Sequence, residues 1–212
     1  MELKKLPITL VLIVRNSNGR LKDLIEYHRD IVSEVVVVDQ SSTDGTYEEA
    51  LRYADIVVKR TAKGMNEPDR NFAFELGSQP WVLNLDDDEM LSEDSKKLLP
   101  EVMEYGADVI WIKRDNWFNG VSLKEKIGPD PQSRLFRRGS LNWHDKVHTY
   151  PDKANNAVAY YSNLEIIHKR TFDQVVKAHS KRSLHMHEEA IRAEEEYIGS
   201  IATELRKRGV KV

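Results

Sequence analysis

The sequence has no cysteine, which excludes a disulfide scaffold and any zinc site built on thiolates. Glycine and proline are scarce, with 10 and 7 among 212 residues, so the chain is neither collagen-like nor a low-complexity linker. No apolar run approaches the roughly 20 residues that a membrane-spanning helix needs. The apolar stretch Ile8 to Val14 follows Lys4 and Lys5 but is too short for a secretory signal. It is expected to be a strand, and a cytoplasmic location is the default. An excess of positive charge is also lacking. The formal net charge is -3, so no general attraction to nucleic acid is expected.

What remains is an ordinary globular composition, 40% hydrophobic and 32% charged, at a length that suits one domain with an appendage. The first half alternates short apolar runs with helical spacing. Ile8 to Val14, Val35 to Val38, Asp55 to Lys59 and Trp81 to Leu85 read as strands. Residues 20–32, 46–53 and about 68–76 read as helices between them, the last with Pro68 in its first turn and Gly77 as its stop. Ser92 opens a further helix to about Tyr105, which Pro100 is expected to kink or split. This order predicts an α/β fold whose central sheet is mostly parallel with helices on both faces. Ligands of such sheets sit at the carboxyl ends of the strands, where Asn16, Asp39 and Asp86 to Asp88 fall.

The second half differs. Val109 to Lys113, Arg134 to Arg137, Ala157 to Tyr161 and Leu164 to Ile167 are strand candidates, with a polar loop over Asp115 to Gln132. Thr171 to Gln174 forms a capping box that opens a helical stretch to about Arg208, stopped by Gly209.

Two segments carry chemistry. Asp86, Asp87 and Asp88 close a buried strand, where they repel one another and lose solvation. A divalent cation would relieve them, and carboxylates suit Mg2+ or Mn2+; a solvated acidic loop is the plain alternative. Asp39 leaves the run Val35 to Val38 and can accept hydrogen bonds from a base or ribose, or only shape its turn, as Asp44 does before Gly45.

Together these segments resemble the family 2 glycosyltransferases of GT-A fold. Val14-Arg15-Asn16 ends the first strand, Asp39 with Ser42 to Thr46 follows the second, Arg70-Asn71 opens a helix, and Asp86-Asp87-Asp88 follows the next strand as an Asp-x-Asp (DXD) motif. Arg134 to Gly139, Trp143 to His148 and Ile166 to His168 are similar to a bacterial lipopolysaccharide-type subgroup, although Thr149 stands where that subgroup has Glu. The resemblance implies a three-layer GT-A domain over 1–170, with a nucleotide-sugar half at 1–105 and an acceptor half at 106–170. A helical extension follows at 171–212. It also implies inverting transfer from a nucleotide-diphosphate sugar, UDP-linked for preference, to a glycan, lipid-linked or protein hydroxyl.

Roles follow from the resemblance. Asn16 lies at the donor site. Asp39 contacts the nucleoside, and Arg70 the base or diphosphate. Asp86, with Asp87 beside it, faces the ribose or a metal-bound water. Asp88 ligates Mn2+ or Mg2+, and His168 reaches the metal or diphosphate. With Glu absent at Thr149, Asp145 is the candidate base, its basicity raised by an apolar wall from Trp143, a ring that also suits stacking on a sugar. His144 is the runner-up. Arg134, Arg137 and Arg138 suit phosphate or a polar strand face. His179, His185 and His187 read as a polar helix face. The basic residues of the terminal helix suit a membrane surface or plain solvation. A nucleotidyltransferase on a similar sheet is the competing enzyme class, though the loop Arg15 to Arg20 lacks its Gly-rich pattern. An inactive nucleotide-sugar-binding module is the competing non-enzyme.

Overall fold

A computed structural model describes residues 5–17, 19–128, 130–144, 151–182 and 188–212. The elements run β1 (Leu6–Val14), α1 (Leu21–His28), β2 (Val32–Asp39), α2 (Thr46–Tyr53), β3 (Ile56–Lys59), α3 (Glu67–Leu76), β4 (Trp81–Leu85), β5 (Glu89–Leu91), α4 (Glu93–Met103), β6 (Val109–Phe118), β7 (Val121–Ser122), α5 (Lys124–Ile127), β8 (Asp130–Arg137), β9 (Leu141–Asn142), β10 (Asp152–Lys153), β11 (Ala159–Arg170), α6 (Phe172–Arg182) and α7 (Glu188–Lys207). Contacts group the chain into two compact units, one of residues 1–113 with 131–166, the other of 114–130 with 167–212. This partition differs from the 1–170 and 171–212 division expected from the sequence, because residues 114–130 cluster with the terminal helices.

The first unit is organised by the sheet order β3-β2-β1-β4-β8-β6-β11-β5. β3, β2, β1 and β4 are mutually parallel, and β8 pairs antiparallel with β4, Leu83 opposite Leu135. β1 and β2 are β-branched runs because both their faces are buried. Alternate side chains go to opposite faces. Ile8, Leu10, Leu12 and Val14 meet Leu21, Leu24 and Ile25 of α1 and Leu99 and Val102 of α4 in one core. Val11, Ile13, Val36 and Val38 meet Ala73 and Phe74 of α3 in another. The expected three-layer α/β sandwich follows. β1 lies between β2 and β4, so the chain reverses its direction of sheet growth there. The crevice beyond the carboxyl ends of β1 and β4 is the topological switch point.

Gly77 does end α3, but for a reason other than handedness. Its backbone is extended, and a Cβ there would sit 2.6 Å from Thr9 Cγ2. The link from α3 to β4 therefore depends on close approach. Glu34 ties it down, accepting from the Thr9 hydroxyl at 2.5 Å and the Ser78 N–H at 2.6 Å.

The second unit has its own core of Phe118, Leu123, Val175, Ile201 and Leu205. Its capping box is present, with Thr171 N–H donating to Gln174 Oε1 at 2.7 Å and Gln174 N–H to Thr171 Oγ1 at 3.2 Å. Gly209, at φ 78°, closes α7. The Val210 N–H reaches Leu205 O and the Gly209 N–H reaches Arg206 O, the paired bonds of a Schellman stop.

Three expectations change. α4 runs unbroken through Pro100; the proline is exposed, and losing one backbone bond there costs the helix locally without dividing it. The two late strand candidates are one strand, β11. Ser162 does not interrupt it, because its buried hydroxyl donates to Trp111 O at 2.9 Å. The polar stretch after Lys113 is structured: β6 continues to Phe118 and turns at Asn119-Gly120, φ 49° and 82°, into β7, the left-handed pair that a tight hairpin requires. Among the described residues, no helix is long and apolar enough to cross a membrane.

His28, which the helical spacing counts within the apolar stripe of α1, is fully buried. Its Nδ1 donates to Leu24 O at 2.8 Å and its Nε2 accepts from the Leu91 N–H at 3.2 Å. That pattern needs the neutral ring, and burial lowers its pKa to about 4. An unfolded histidine titrates near 6.5. Between these values the unfolded chain binds more protons. Stability from this group is therefore complete above about pH 6.5 and declines, by about 3 kcal/mol in total, as pH falls to about 4. Urea unfolding of the parent and His28→Gln across this range should give curves that converge toward low pH. Parallel curves would remove the assignment.

Candidate functional site

The carboxyl ends of β1, β2 and β4 are bound into one polar edge by side chain to backbone contacts. Asn16 follows β1 with φ 57°, a conformation that asparagine tolerates better than most residues. Its N–H donates to Ser42 Oγ at 2.9 Å, and its Oδ1 accepts from the Thr43 N–H at 2.9 Å. Ser17 N–H donates to Thr46 Oγ1 at 2.7 Å. The turns after β1 and β2 are thereby fixed to each other. Asp44 shapes its turn, accepting from the Thr46 N–H and hydroxyl. Gly45 precedes α2 at φ 92°, where a side chain would be strained.

Asp39 is fully buried at the end of β2. Its Oδ2 accepts from the Ser42 N–H at 3.1 Å, while its Oδ1 has no hydrogen-bond partner among the described residues. The next residue, Gln40, donates to Asp69 Oδ2 at 2.8 Å. Asp69 is also buried and pairs with Arg60 at 2.8 Å. The base of the edge is thus held by a buried acid that the sequence pattern did not single out.

The three aspartates after β4 have separate environments. Asp86 accepts from Arg134 at 2.5 Å and lies 3.8 Å from the Arg70 guanidinium. Arg134 also donates to Glu89 Oε1 at 2.7 Å, and Glu89 Oε2 accepts from the Asp86 N–H at 3.1 Å. Burial alone would lower the pKa of Arg134, but Asp86 and Glu89 more than offset it and the net shift is upward. Asp87 points to α1, accepting from the Ser17 hydroxyl and pairing with Arg20 at 2.6 Å. Burial nevertheless raises its pKa. Asp88 is partly exposed at the end of the turn.

Arg70 enters from α3, buried, and donates to Asn84 Oδ1. Asn84 in turn donates to Val11 O at 3.1 Å, so the guanidinium is fixed to the middle of the sheet. The same group lies 5.3 Å from the centre of the Trp143 ring. Trp143 is 8% exposed and packs against Phe74 and Phe136. It is a core residue, which corrects the expectation of a sugar-stacking ring. Asn71 locks it in place, donating to Trp143 O and accepting from the Trp143 N–H.

Asn16, Asp39, Arg70, Asp86, Asp87 and Asp88 therefore share the first unit. His168 belongs to the second. There its Nδ1 bonds Asn116 Oδ1 at 2.7 Å, and Asn116 Nδ2 donates to Asp130 at 3.2 Å. That carboxylate fixes the orientation of the Asn116 amide, so its Oδ1 accepts from His168 Nδ1. Asp145, His148, His185 and His187 lie outside the described residues. His144 is exposed, with Nε2 3.0 Å from Asp152 Oδ2. Arg137 and Arg138 serve the structure: the first sits over Trp81, and the second donates to Gly77 O and Gln79 O. His179 pairs with Glu194 at 3.0 Å.

Cations and carboxylates are thus gathered at the switch point of the parallel sheet. The chain matches Glycosyl transferase family 2 over residues 9–167 and belongs to that family. It is 32% identical over 155 residues to the lipopolysaccharide core biosynthesis glycosyltransferase LpsC of Rhizobium meliloti, covering 68% of this chain and 56% of that protein. It is 26% identical over 199 residues to the SPbeta prophage-derived glycosyltransferase SunS of Bacillus subtilis, covering 89% and 46%. The chain thus spans about half the length of these relatives. Among solved structures, S. aureus TarS superposes with a TM-score of 0.48 at 22% identity, covering 62% of this chain and 28% of that one.

Arg134 is the cation nearest the buried Glu89. Arg134→Met should cost about 3–5 kcal/mol in urea unfolding, the usual effect of removing one partner from a buried ion pair. Adding Glu89→Leu should restore part of the loss. A cost below about 1 kcal/mol for the single variant would show that the cluster does not hold the turn.

Proposed function

We propose that this chain transfers a sugar from a nucleotide-diphosphate sugar, UDP-linked by family resemblance, to an acceptor hydroxyl in one inverting step assisted by Mn2+ or Mg2+. The observation that carries the reading is Asp39. A buried carboxylate oxygen without a donor is costly, and it stands at a strand end where a ribose hydroxyl or base N–H would satisfy it. Asn16 braces the turn beside it. Arg70, fixed by Asn84, offers positive charge for a base or diphosphate.

The residues present fit a cation of this kind. Among the described residues, no group of three or more acid, His or Cys side chains forms a protein cage. Mg2+ is commonly held without one, by one or two carboxylates together with substrate phosphates and water. Asp88 is the carboxylate proposed as ligand. Asp86, held by Arg134, and Asp87, held by Arg20, are proposed to face the ribose or a metal-bound water beside it. Bound there, the cation would neutralise charge as the diphosphate leaves.

Calorimetry with UDP tests both assignments. Asp39→Ala should weaken binding by roughly tenfold to a hundredfold with or without metal. Asp88→Ala should abolish only the enhancement that Mn2+ brings and EDTA removes. Unchanged affinity in the first variant refutes nucleoside recognition, and unchanged metal enhancement in the second refutes the ligand.

The base is proposed to be Asp145. His144, whose Nε2 lies 3.0 Å from Asp152 Oδ2, is the competitor. Asp145→Asn should lower kcat about 10²–10⁴-fold with donor affinity intact. Transfer at the parent rate in that variant, with loss in His144→Gln, would give the role to His144.

A further inference from the structure

We infer that Tyr27 and His28, on the last turn of α1, are positioning residues for the acidic turn: they fix the register of β5 and through it the place of Asp88. The inference rests on the metal-assisted reading above and names what sets the geometry of that ligand.

The turn moves as one piece. The Glu89 N–H donates to Asp86 O at 3.0 Å, and the Asp86 N–H to Glu89 Oε2 at 3.1 Å. Residues 86–89 are thereby closed on themselves, and their exit is β5. That strand has three residues and stands last in the sheet order, beside β11. An edge strand leaves backbone N–H and C=O groups without a neighbouring strand. Here α1 supplies the partners. His28 Nε2 accepts from the Leu91 N–H at 3.2 Å, and the Tyr27 hydroxyl donates to Leu91 O at 2.8 Å. Toward β11, the Ser92 N–H donates to Glu165 O at 2.9 Å. Two adjacent side chains of one helix thus do at Leu91 what a further strand would do.

Both side chains are themselves fixed. His28 Nδ1 is bonded to Leu24 O. Burial, and then Glu93 beside it, raises the pKa of Tyr27, which keeps the phenol a donor. Lys96 Nζ stands 4.2 Å from the centre of the Tyr27 ring and bonds Tyr27 O at 2.7 Å and Asp30 at 2.9 Å. A leucine in place of His28 would extend the apolar stripe of α1 without the cost of burying an imidazole, so packing alone does not account for the histidine. At its other end α1 holds the corner of the turn, where the Ser17 hydroxyl and Arg20 both reach Asp87. The chain is therefore tied to α1 on either side of Asp88, at Asp87 and at Leu91. Magnitudes show why this bears on a metal. A slip of β5 by one residue is about 3.3 Å, whereas a metal–ligand distance tolerates about 0.2 Å.

The test is Mn2+ binding to the UDP-loaded chain, read from the EPR signal of free Mn2+, with hydrogen exchange of the amides of 86–89 as a metal-free readout. Tyr27→Phe, which loses only the hydroxyl, and His28→Leu should each weaken Mn2+ binding about tenfold and speed that exchange. UDP affinity without metal should stay at the parent value. His28→Gln keeps a donor and an acceptor and should recover most of the loss. Ser162→Ala removes a buried hydroxyl bond elsewhere in the sheet and should change neither readout. Parent-like Mn2+ affinity in Tyr27→Phe and His28→Leu, with none in Asp88→Ala, overturns the inference and leaves the metal reading standing. An equal loss in Ser162→Ala also overturns it, because loosening anywhere would then suffice. A parent that binds no Mn2+ removes the metal reading, and exchange then decides the clamp. Faster exchange of 86–89 in Tyr27→Phe supports it, and unchanged exchange overturns it.

Discussion

A single guanidinium holds the acidic end of β4 together. Arg134 bridges Asp86 and Glu89, and without it two carboxylates would face each other at the edge of a nonpolar sheet. The bridge has a topological origin, since β8 must run antiparallel beside β4 to bring Arg134 level with Asn84. It also divides the labour of the acidic triplet. Asp86 belongs to the cation cluster, Asp87 reaches Arg20 and Ser17, and Asp88 stands partly exposed at the outer end of the turn. Three adjacent identical residues thereby have three different electrostatic surroundings.

The central strands were legible because burial on both faces demands continuous apolar, β-branched runs, and little else in a sequence looks like Val35 to Val38. The capping box at Thr171 and the Asn-Gly turn at 119–120 are equally local. The polarity of residues 115–132 nevertheless predicts a loop there, which hides the dipeptide's hairpin signal. β11 was divided at Ser162 for the same reason: a polar residue on an inward face looks like a break until its backbone acceptor on a distant strand is known.

The site was legible as a set of strand-end residues but not as a set of pairs. Position and family pattern single out Asp39, Arg70 and Asp86 to Asp88 as candidates. Nothing near them in sequence announced that Asn84 would fix Arg70 or that Arg134 would claim Asp86, since each partner arrives from another element. Trp143 shows the converse error. An aromatic beside His144 and Asp145 suggests a binding wall, yet Asn71 holds its backbone and two core rings, Phe74 and Phe136, pack against its indole. His28 was taken for part of an apolar stripe, and it does fill that space, but only as a neutral ring with both nitrogens engaged.

The separation of Arg134 from its acids has a consequence for how the chain is made. Glu89 and Arg134 are 45 residues apart. At synthesis rates of about 5–20 residues per second, the acids exist for roughly 2–9 s before their counter-ion does. During that interval β4 has a free edge and an unneutralised end, so the parallel strands β3, β2, β1 and β4 cannot close as a finished half. Completion of this polar edge is tied to arrival of β8, and a nascent chain halted short of it carries the acids without the cation that lets them be buried.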